Sequence, residues 1–222
     1  MNFKTNDISL PIGQFNVKLT TIDNIDELYD ALIAKGSEHA DVKDERIPYW
    51  AELWASAVGM SRYLVDNQLV TPETSVLEIG CGLGLPSIVA GLQGAKQVVM
   101  SDYLPEALDF AQHNWSQNVL VEKPILNVMD WRTPDPTLSA DLLLASDVAY
   151  ETRAFEPLLK AFKTLVKPKG RILISEPNRP VSKDFFSNLK NTEGYQVKHT
   201  QMIVERKGHN FTVNIYELNQ NE

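Results

Sequence analysis

Three glycines at alternate positions, Gly80, Gly82 and Gly84, constrain this chain more than anything else in it. The apolar run Val76-Leu77-Glu78-Ile79 precedes them, and Leu85-Pro86-Ser87-Ile88-Val89-Ala90 opens an apolar helical run just after. The order is strand, tight turn, helix N-terminus, which brings a nucleotide-like ligand against bare backbone. A dinucleotide fingerprint needs its third glycine three positions after the second, and Leu85 stands there. Glu78 sits just ahead of the turn, where a carboxylate would repel a pyrophosphate and suit a ligand carrying an amino group and a sulfonium; a buried acid hydrogen-bonded to loop amides is a second reading, compatible with the first. S-adenosylmethionine fits that requirement; NAD fits it poorly. Gly80, Cys81 and Gly82 are then the backbone that meets the ligand, with Cys81 a small residue the turn tolerates.

From Thr74 onward strands alternate with helices. Strands are expected at Ser75–Ile79, Gln97–Ser101, Ile125–Val128, Leu142–Ala145 and Arg171–Ser175, with helices at Pro86–Leu92, Pro105–Asn118 and Ala154–Val166. Gly94 closes the first helix, Pro105 opens the second, and the turn Pro168-Lys169-Gly170 follows the third. Alternation of this kind makes a parallel sheet with helices on both faces. Tyr195–Val204 and Phe211–Leu218, either side of Lys207-Gly208, form an antiparallel hairpin instead. Before Thr74, Ile8–Ile22 reads as an irregular strand or hairpin, Asp23–Ala34 as a helix, Lys35–Arg46 as a loop and Pro48–Asp66 as a second helix. The expected class is α/β: a Rossmann-like, seven-stranded, mostly parallel sheet with an antiparallel C-terminal hairpin. Residues 1–47 form a small N-terminal α+β extension, and 48–222 the main domain.

Composition narrows the partners. At 222 residues the chain suits one sizeable α/β domain with a small addition. A formal charge of −8 opposes non-specific nucleic-acid binding and favours a cationic partner. The stretch Met1–Asp7 lacks the apolar core of a signal peptide, and no apolar run nears the ~20 residues needed to span a bilayer. A cytoplasmic monomer with no membrane partner is expected. Cys81 is the single cysteine, so no intrachain disulfide can form, and the four scattered histidines lack metal-ligand spacing.

The marked residues fall at strand ends, where ligands of such sheets lie. Asp102 ends the second strand about 20 residues beyond the glycine turn, the offset at which an acid reaches a ribose hydroxyl pair; the alternative is an acid capping a strand end. Asp130-Trp131 follows the third strand, where an indole can stack on adenine beside a carboxylate, or simply cover the sheet edge. Ser146-Asp147-Val148-Ala149-Tyr150 follows the fourth strand, placing Asp147 and Tyr150 where a transferred methyl group should point; otherwise Asp147 caps the turn and Tyr150 packs. Trp50 and Trp54 lie four residues apart, a spacing typical of core packing, although an aromatic near a sulfonium gains about 0.5–2 kcal/mol.

Taken together, these residues resemble the seven-β-strand protein lysine methyltransferases related to the electron-transfer-flavoprotein β-subunit lysine methyltransferase. The general part is Glu78-x-Gly80-x-Gly82-x-Gly84 with Asp102; the particular part is Pro48-Tyr49-Trp50-Ala51-Glu52-Leu53-Trp54, Asp130-Trp131, and Asp147-x-x-Tyr150. The resemblance implies that Trp54 and Ser146 border the cofactor and that Trp131 lies against adenine. It implies a methyl transfer from S-adenosylmethionine to an amine, most simply a lysine of a protein partner, with Asp147 orienting the amine and Tyr150 walling its channel. Glu176-Pro177-Asn178-Arg179-Pro180, after the fifth strand, departs from the acceptor-side motifs of the characterised members. A small-molecule N- or O-methyltransferase and a non-catalytic S-adenosylmethionine-binding module are the alternatives.

Overall fold

The structure, a computed structural model, describes residues 3–43, 46–191 and 195–220. Met1 and Asn2, part of the stretch read for a signal peptide, and Asp44 and Glu45, part of the expected loop, lie outside them. In chain order the elements are β1 (Thr5–Ile12), β2 (Phe15–Ile22), α1 (Ile25–Ile33), α2 (Ala40–Lys43), α3 (Ala55–Asp66), β3 (Ser75–Ile79), α4 (Leu85–Leu92), β4 (Gln97–Asp102) and α5 (Pro105–Ser116). Then come β5 (Ile125–Val128), β6 (Ala140–Ser146), α6 (Phe155–Leu165), β7 (Val166–Glu176), α7 (Ser182–Asn191), β8 (Tyr195–Arg206) and β9 (His209–Gln220).

Seven strands form one sheet in the order β5-β4-β3-β6-β7-β9-β8. The pairs from β5 through β7 are parallel, while β9 pairs antiparallel with both β7 and β8. The chain builds outward from β3 to β5, then returns to lay β6 on the other side of β3. That reversal opens a crevice at the carboxyl ends of β3 and β6, the ligand-binding position of such sheets. Alternation along β3 sends Val76 to the face covered by α3, α4 and α5, and Leu77 and Ile79 to the face covered by α6 and α7. No helix among the described residues is long and apolar enough to cross a membrane.

The observed elements differ from the expected ones at four places. Residues 48–66 are not one helix: Pro48–Ala51 is a 3₁₀ turn, the chain is extended at Glu52 and Trp54, and α3 begins at Ala55. The Tyr49 carbonyl, which a continuous helix would offer to residue 53, accepts instead from the Trp54 indole N–H at 2.9 Å. The turn Pro168-Lys169-Gly170 lies inside β7 as an irregularity, with pairing to β6 resuming at Arg171. Helix α7 was not anticipated from the sequence at all, and a short helix, α2, lies within the expected loop. The start of the chain is a regular hairpin, paired from Thr5↔Ile22 to Ile12↔Phe15 as a separate two-stranded sheet.

Candidate functional site

Three successive positive φ angles, +63° at Gly80, +51° at Gly82 and +81° at Gly84, carry the chain from β3 into α4. A Cβ on Gly80 would stand 3.0 Å from the Trp131 ring, and one on Gly82 3.1 Å from the Trp50 carbonyl oxygen. Left-handed backbone costs other residues strain, so this cradle needs glycine twice over. It borders a crevice of about 310 Å³ that also receives Trp54, Cys81, Asp102, Trp131, Ser146, Asp147 and Tyr150.

Glu78 is not in that wall. Alternation along β3 turns it toward α4, fully buried, where Oε2 accepts from the Ser87 N–H at 3.0 Å and the Ser87 hydroxyl at 2.6 Å. It therefore satisfies an orphan donor in the first turn of α4 and meets the positive end of that helix. Its Oε1 is buried with no partner among the described residues. Burial, reinforced by nearby Asp102, lifts its pKa to about 8, against the Ser87 bonds that pull the other way. Glu78 is thus a buried acid bonded to an amide beneath the loop, the other of the two compatible readings the sequence offered.

Asp102 ends β4 with its carboxylate at the crevice. Oδ2 accepts from the Gly82 N–H at 3.0 Å and Oδ1 from the Leu104 N–H at 3.1 Å. Burial raises its pKa while these amides lower it. With the Tyr103 amide also bonded, an ionised carboxylate of about four lone-pair positions can still accept from a hydroxyl donor in the crevice. Asp130 is elsewhere: Arg132 holds it through Nε at 2.9 and 2.8 Å, in a neighbouring pocket that Trp131 also borders. Cys81 is buried, and burial pushes its thiol well up, leaving a small inert residue.

The crevice is also lined by Asp147 and an aromatic group. Tyr49 meets Trp54 edge-on at 6.2 Å and Tyr150 at 5.7 Å. Burial carries the Tyr150 hydroxyl to about pKa 12, so it stays a donor. Trp50 packs on Phe3 and Phe110 while its backbone touches the glycine cradle. Asp147 sits in the left-handed region at φ 56° with its side chain 7% exposed. Oδ1 accepts from Arg179 Nε at 3.2 Å and Nη2 at 3.0 Å; Oδ2 has only a long contact, 3.5 Å, from the Ser56 hydroxyl. Burial raises the Asp147 pKa and Arg179 draws it back down. Arg179 was not foreseen as a site residue. The available signal was its place three residues past the end of a sheet strand, at the same carboxyl end as the other marked residues.

A glycine turn, a hydroxyl acceptor, an indole and a buried carboxylate beside aromatic rings line one crevice, a set that suits a nucleoside-like ligand. A profile of proteins described as lysine methyltransferases matches residues 14–192. The chain belongs to that family. Among its relatives are the electron transfer flavoprotein beta subunit lysine methyltransferases of Danio rerio, 31% identical over 74% of this chain and 62% of that protein, and of Homo sapiens, 33% identical over 64% and 54%. The protein N-terminal and lysine N-methyltransferase efm7 of Schizosaccharomyces pombe is 28% identical over 72% of each chain, and the histone-arginine methyltransferase METTL23 of Rattus norvegicus 34% over 57% of this chain and 58% of that one. The chain spans about three-fifths of the length of the first of these relatives. In fold it resembles the magnesium protoporphyrin IX methyltransferase of Synechocystis PCC 6803 with bound SAH, with TM-score 0.61, 16% identity and coverage of 90% of this chain and 95% of that one.

Proposed function

We propose that this chain is an S-adenosylmethionine-dependent methyltransferase acting on an amine, with the side chain of a protein lysine as acceptor. The observation that carries the reading is that one crevice is lined both by the glycine turn Gly80–Gly84 with Asp102 and Trp131 and by Asp147 with Tyr49, Trp54 and Tyr150. Family membership supports the same chemistry.

In this reading Asp102 holds the ribose hydroxyls, Trp131 covers the adenine, and the backbone of Gly80, Cys81 and Gly82 cradles the amino-acid arm, with Ser146 and Trp54 flanking it. The orphaned Glu78 oxygen beneath the cradle fits a positively charged arm above it. Bound there, S-adenosylmethionine supplies a sulfonium methyl group that a neutral amine can take. A lysine must first lose its proton, which costs about 4–5 kcal/mol at pH 7. Tyr49, Trp54 and Tyr150 exclude water around the amine, and Asp147 Oδ2 accepts one of its hydrogens and so orients the lone pair. Asp147 is not assigned the role of general base, because Arg179 holds its Oδ1 and opposes its protonation. Its contribution is alignment, and alignment is where most of the acceleration of such a transfer lies.

Asp147→Asn keeps the shape and removes the charge. With tritiated S-adenosylmethionine and a cell lysate, label transfer should fall roughly 10²-fold, the loss typical of a misplaced reactant. Calorimetry with S-adenosylhomocysteine should be essentially unchanged. Equal labelling by the variant removes Asp147 from the mechanism. A wild-type protein that binds S-adenosylhomocysteine yet labels nothing leaves only the cofactor-binding module.

A further inference from the structure

We infer that Arg179 sets acceptor specificity at this site, admitting an amine that can arrive uncharged and refusing a guanidinium. The inference rests on the methyl-transfer reading above and narrows its substrate class, which the family leaves open because its relatives include enzymes named for lysine, N-terminal and arginine acceptors.

The geometry fixes the guanidinium. Asn178 turns the chain after β7 in the left-handed conformation, at φ 58°, and the Arg179 N–H is held by Glu176 Oε2 at 2.6 Å. Glu176 is itself buried and anchored, accepting from the Ser182 hydroxyl at 2.9 Å and from the Asn214 side-chain amide. From this base Arg179 crosses to the loop after β6 and places two N–H donors on one oxygen of Asp147. Its side chain remains 34% exposed and borders the crevice.

Two consequences follow for whatever nitrogen reaches Asp147. First, only Oδ2 is left, because Oδ1 is occupied. An arginine acceptor matches a carboxylate through two parallel bonds to both oxygens, so half of its docking site is taken; an amine needs one oxygen. Second, a cation arriving at Oδ2 meets a fixed positive charge a few ångströms away. Like charges disfavour ionisation, so a lysine sheds its proton more readily there, whereas a guanidinium cannot shed one. The charged and titratable groups that act on Asp147 are Arg179 and Glu176 from the β7 side and Tyr150 from its own loop; Ser56 of α3 adds a neutral hydroxyl. Among these Arg179 is the one cation.

The test compares wild type with Arg179→Gln, of similar length but neutral, and Arg179→Lys, which restores the charge. Each is incubated with tritiated S-adenosylmethionine and cell lysate across a pH series, and the labelled protein is hydrolysed to amino acids. Wild type should label methylated amines and no methylarginine. In Arg179→Gln the pH of half-maximal labelling should rise by about one unit, about a tenfold loss at pH 7 that alkaline buffer recovers; Arg179→Lys should lie between. A carboxyl-carbon NMR titration of the unloaded proteins supplies a second readout, with the Asp147 midpoint moving up in Arg179→Gln. An unshifted pH profile in Arg179→Gln, a loss equal at every pH, or methylarginine in the wild-type hydrolysate overturns the assignment while leaving methyl transfer intact. Wild type that labels nothing at any pH overturns the methyl-transfer reading, and this assignment with it.

Discussion

Burying Glu78 beneath the glycine loop puts a proton where solution chemistry would not. A carboxyl lifted from 4.5 to about 8 is mostly protonated at neutral pH in the unloaded protein, whereas the unfolded chain ionises it from about pH 4.5. The raised folded value means that its stability contribution is fully present below pH 4.5 and is lost as pH rises through 8. We therefore expect the wild-type melting temperature to fall between pH 5 and pH 8 by an amount that Glu78→Gln abolishes. Parallel pH profiles for the two proteins would show that the carboxyl is ionised throughout. A cationic ligand above the loop would pull the same pKa down, so binding should release protons, which calorimetry in buffers of different ionisation enthalpy reads directly. At this scale the sequence exposed what is local. Gly80, Gly82 and Gly84 betray themselves by spacing, and Asp102 by its place at a strand end. Which way Glu78 pointed was decided by the pleat of β3, and the pairing of Arg179 with Asp147 joins two loops across β6 and β7. No spacing along the chain encodes that contact.

The loop between β3 and α4 behaves as an element in its own right, tied on three sides. Gly82 donates to Asp102, and Trp50 lies against the loop's outer edge. Asn114, fully buried on α5, donates to the Leu83 carbonyl at 3.1 Å while bonding Thr20 of β2 through both its oxygen and its amide. A loop so held cannot relax around a new side chain. Gly82→Ala would require left-handed backbone at φ 51° and a methyl 3.1 Å from the Trp50 carbonyl. Such strain costs about 1–3 kcal/mol. The expected outcome is a folded protein, lower in melting temperature, whose affinity for S-adenosylhomocysteine falls at least about tenfold because the cradle moves. Unchanged affinity would place the ligand away from this loop. The alternation of strands and helices after Thr74 was readable because hydrophobic period and punctuation agree there. Residues 48–66 misled for a physical reason: their apolar spacing is helical, but the Tyr49 carbonyl accepts from the Glu52 N–H at 3.3 Å in a 3₁₀ turn and from the Trp54 indole at 2.9 Å, and the chain is extended before α3. Aromatic side chains with a donor at the tip can compete with backbone in this way, and periodicity does not register it.

Across the whole molecule, the boundary expected at residue 47 is crossed by packing. Ile12, Val17 and Leu19 of the hairpin are fully buried in one cluster with Met60 and Leu64 of α3, Ile88 of α4 and Ala111 of α5. Thr20 and Lys18 also bond Asn114 of α5 and Asn118 just beyond it. We propose that the N-terminal hairpin is part of the single folding unit and not a lid that swings on it. Fully burying three aliphatic side chains is worth about 1.5–3 kcal/mol each, together comparable to the whole stability of a domain, about 5–15 kcal/mol. Removal of the hairpin would expose the α3, α4 and α5 surfaces beneath it and leave Asn114, fully buried in the intact chain, without the Thr20 partners on which the glycine loop indirectly leans. A chain starting at Ile25 should therefore fail to melt cooperatively and should bind S-adenosylhomocysteine weakly or not at all. A lid predicts the opposite: a truncated chain that melts within a few degrees of the full one, keeps its cofactor affinity and exchanges ligand faster. Calorimetric melting of the two chains, with and without S-adenosylhomocysteine, separates these outcomes. The closing wall of the crevice runs from Ile47 to Trp54, just after α1 and α2. Phe3, just ahead of β1, packs edge-on against Trp50 of that wall; in the proposed reading, acceptor entry is governed at the wall's own aromatic residues and at Arg179, which line the same crevice.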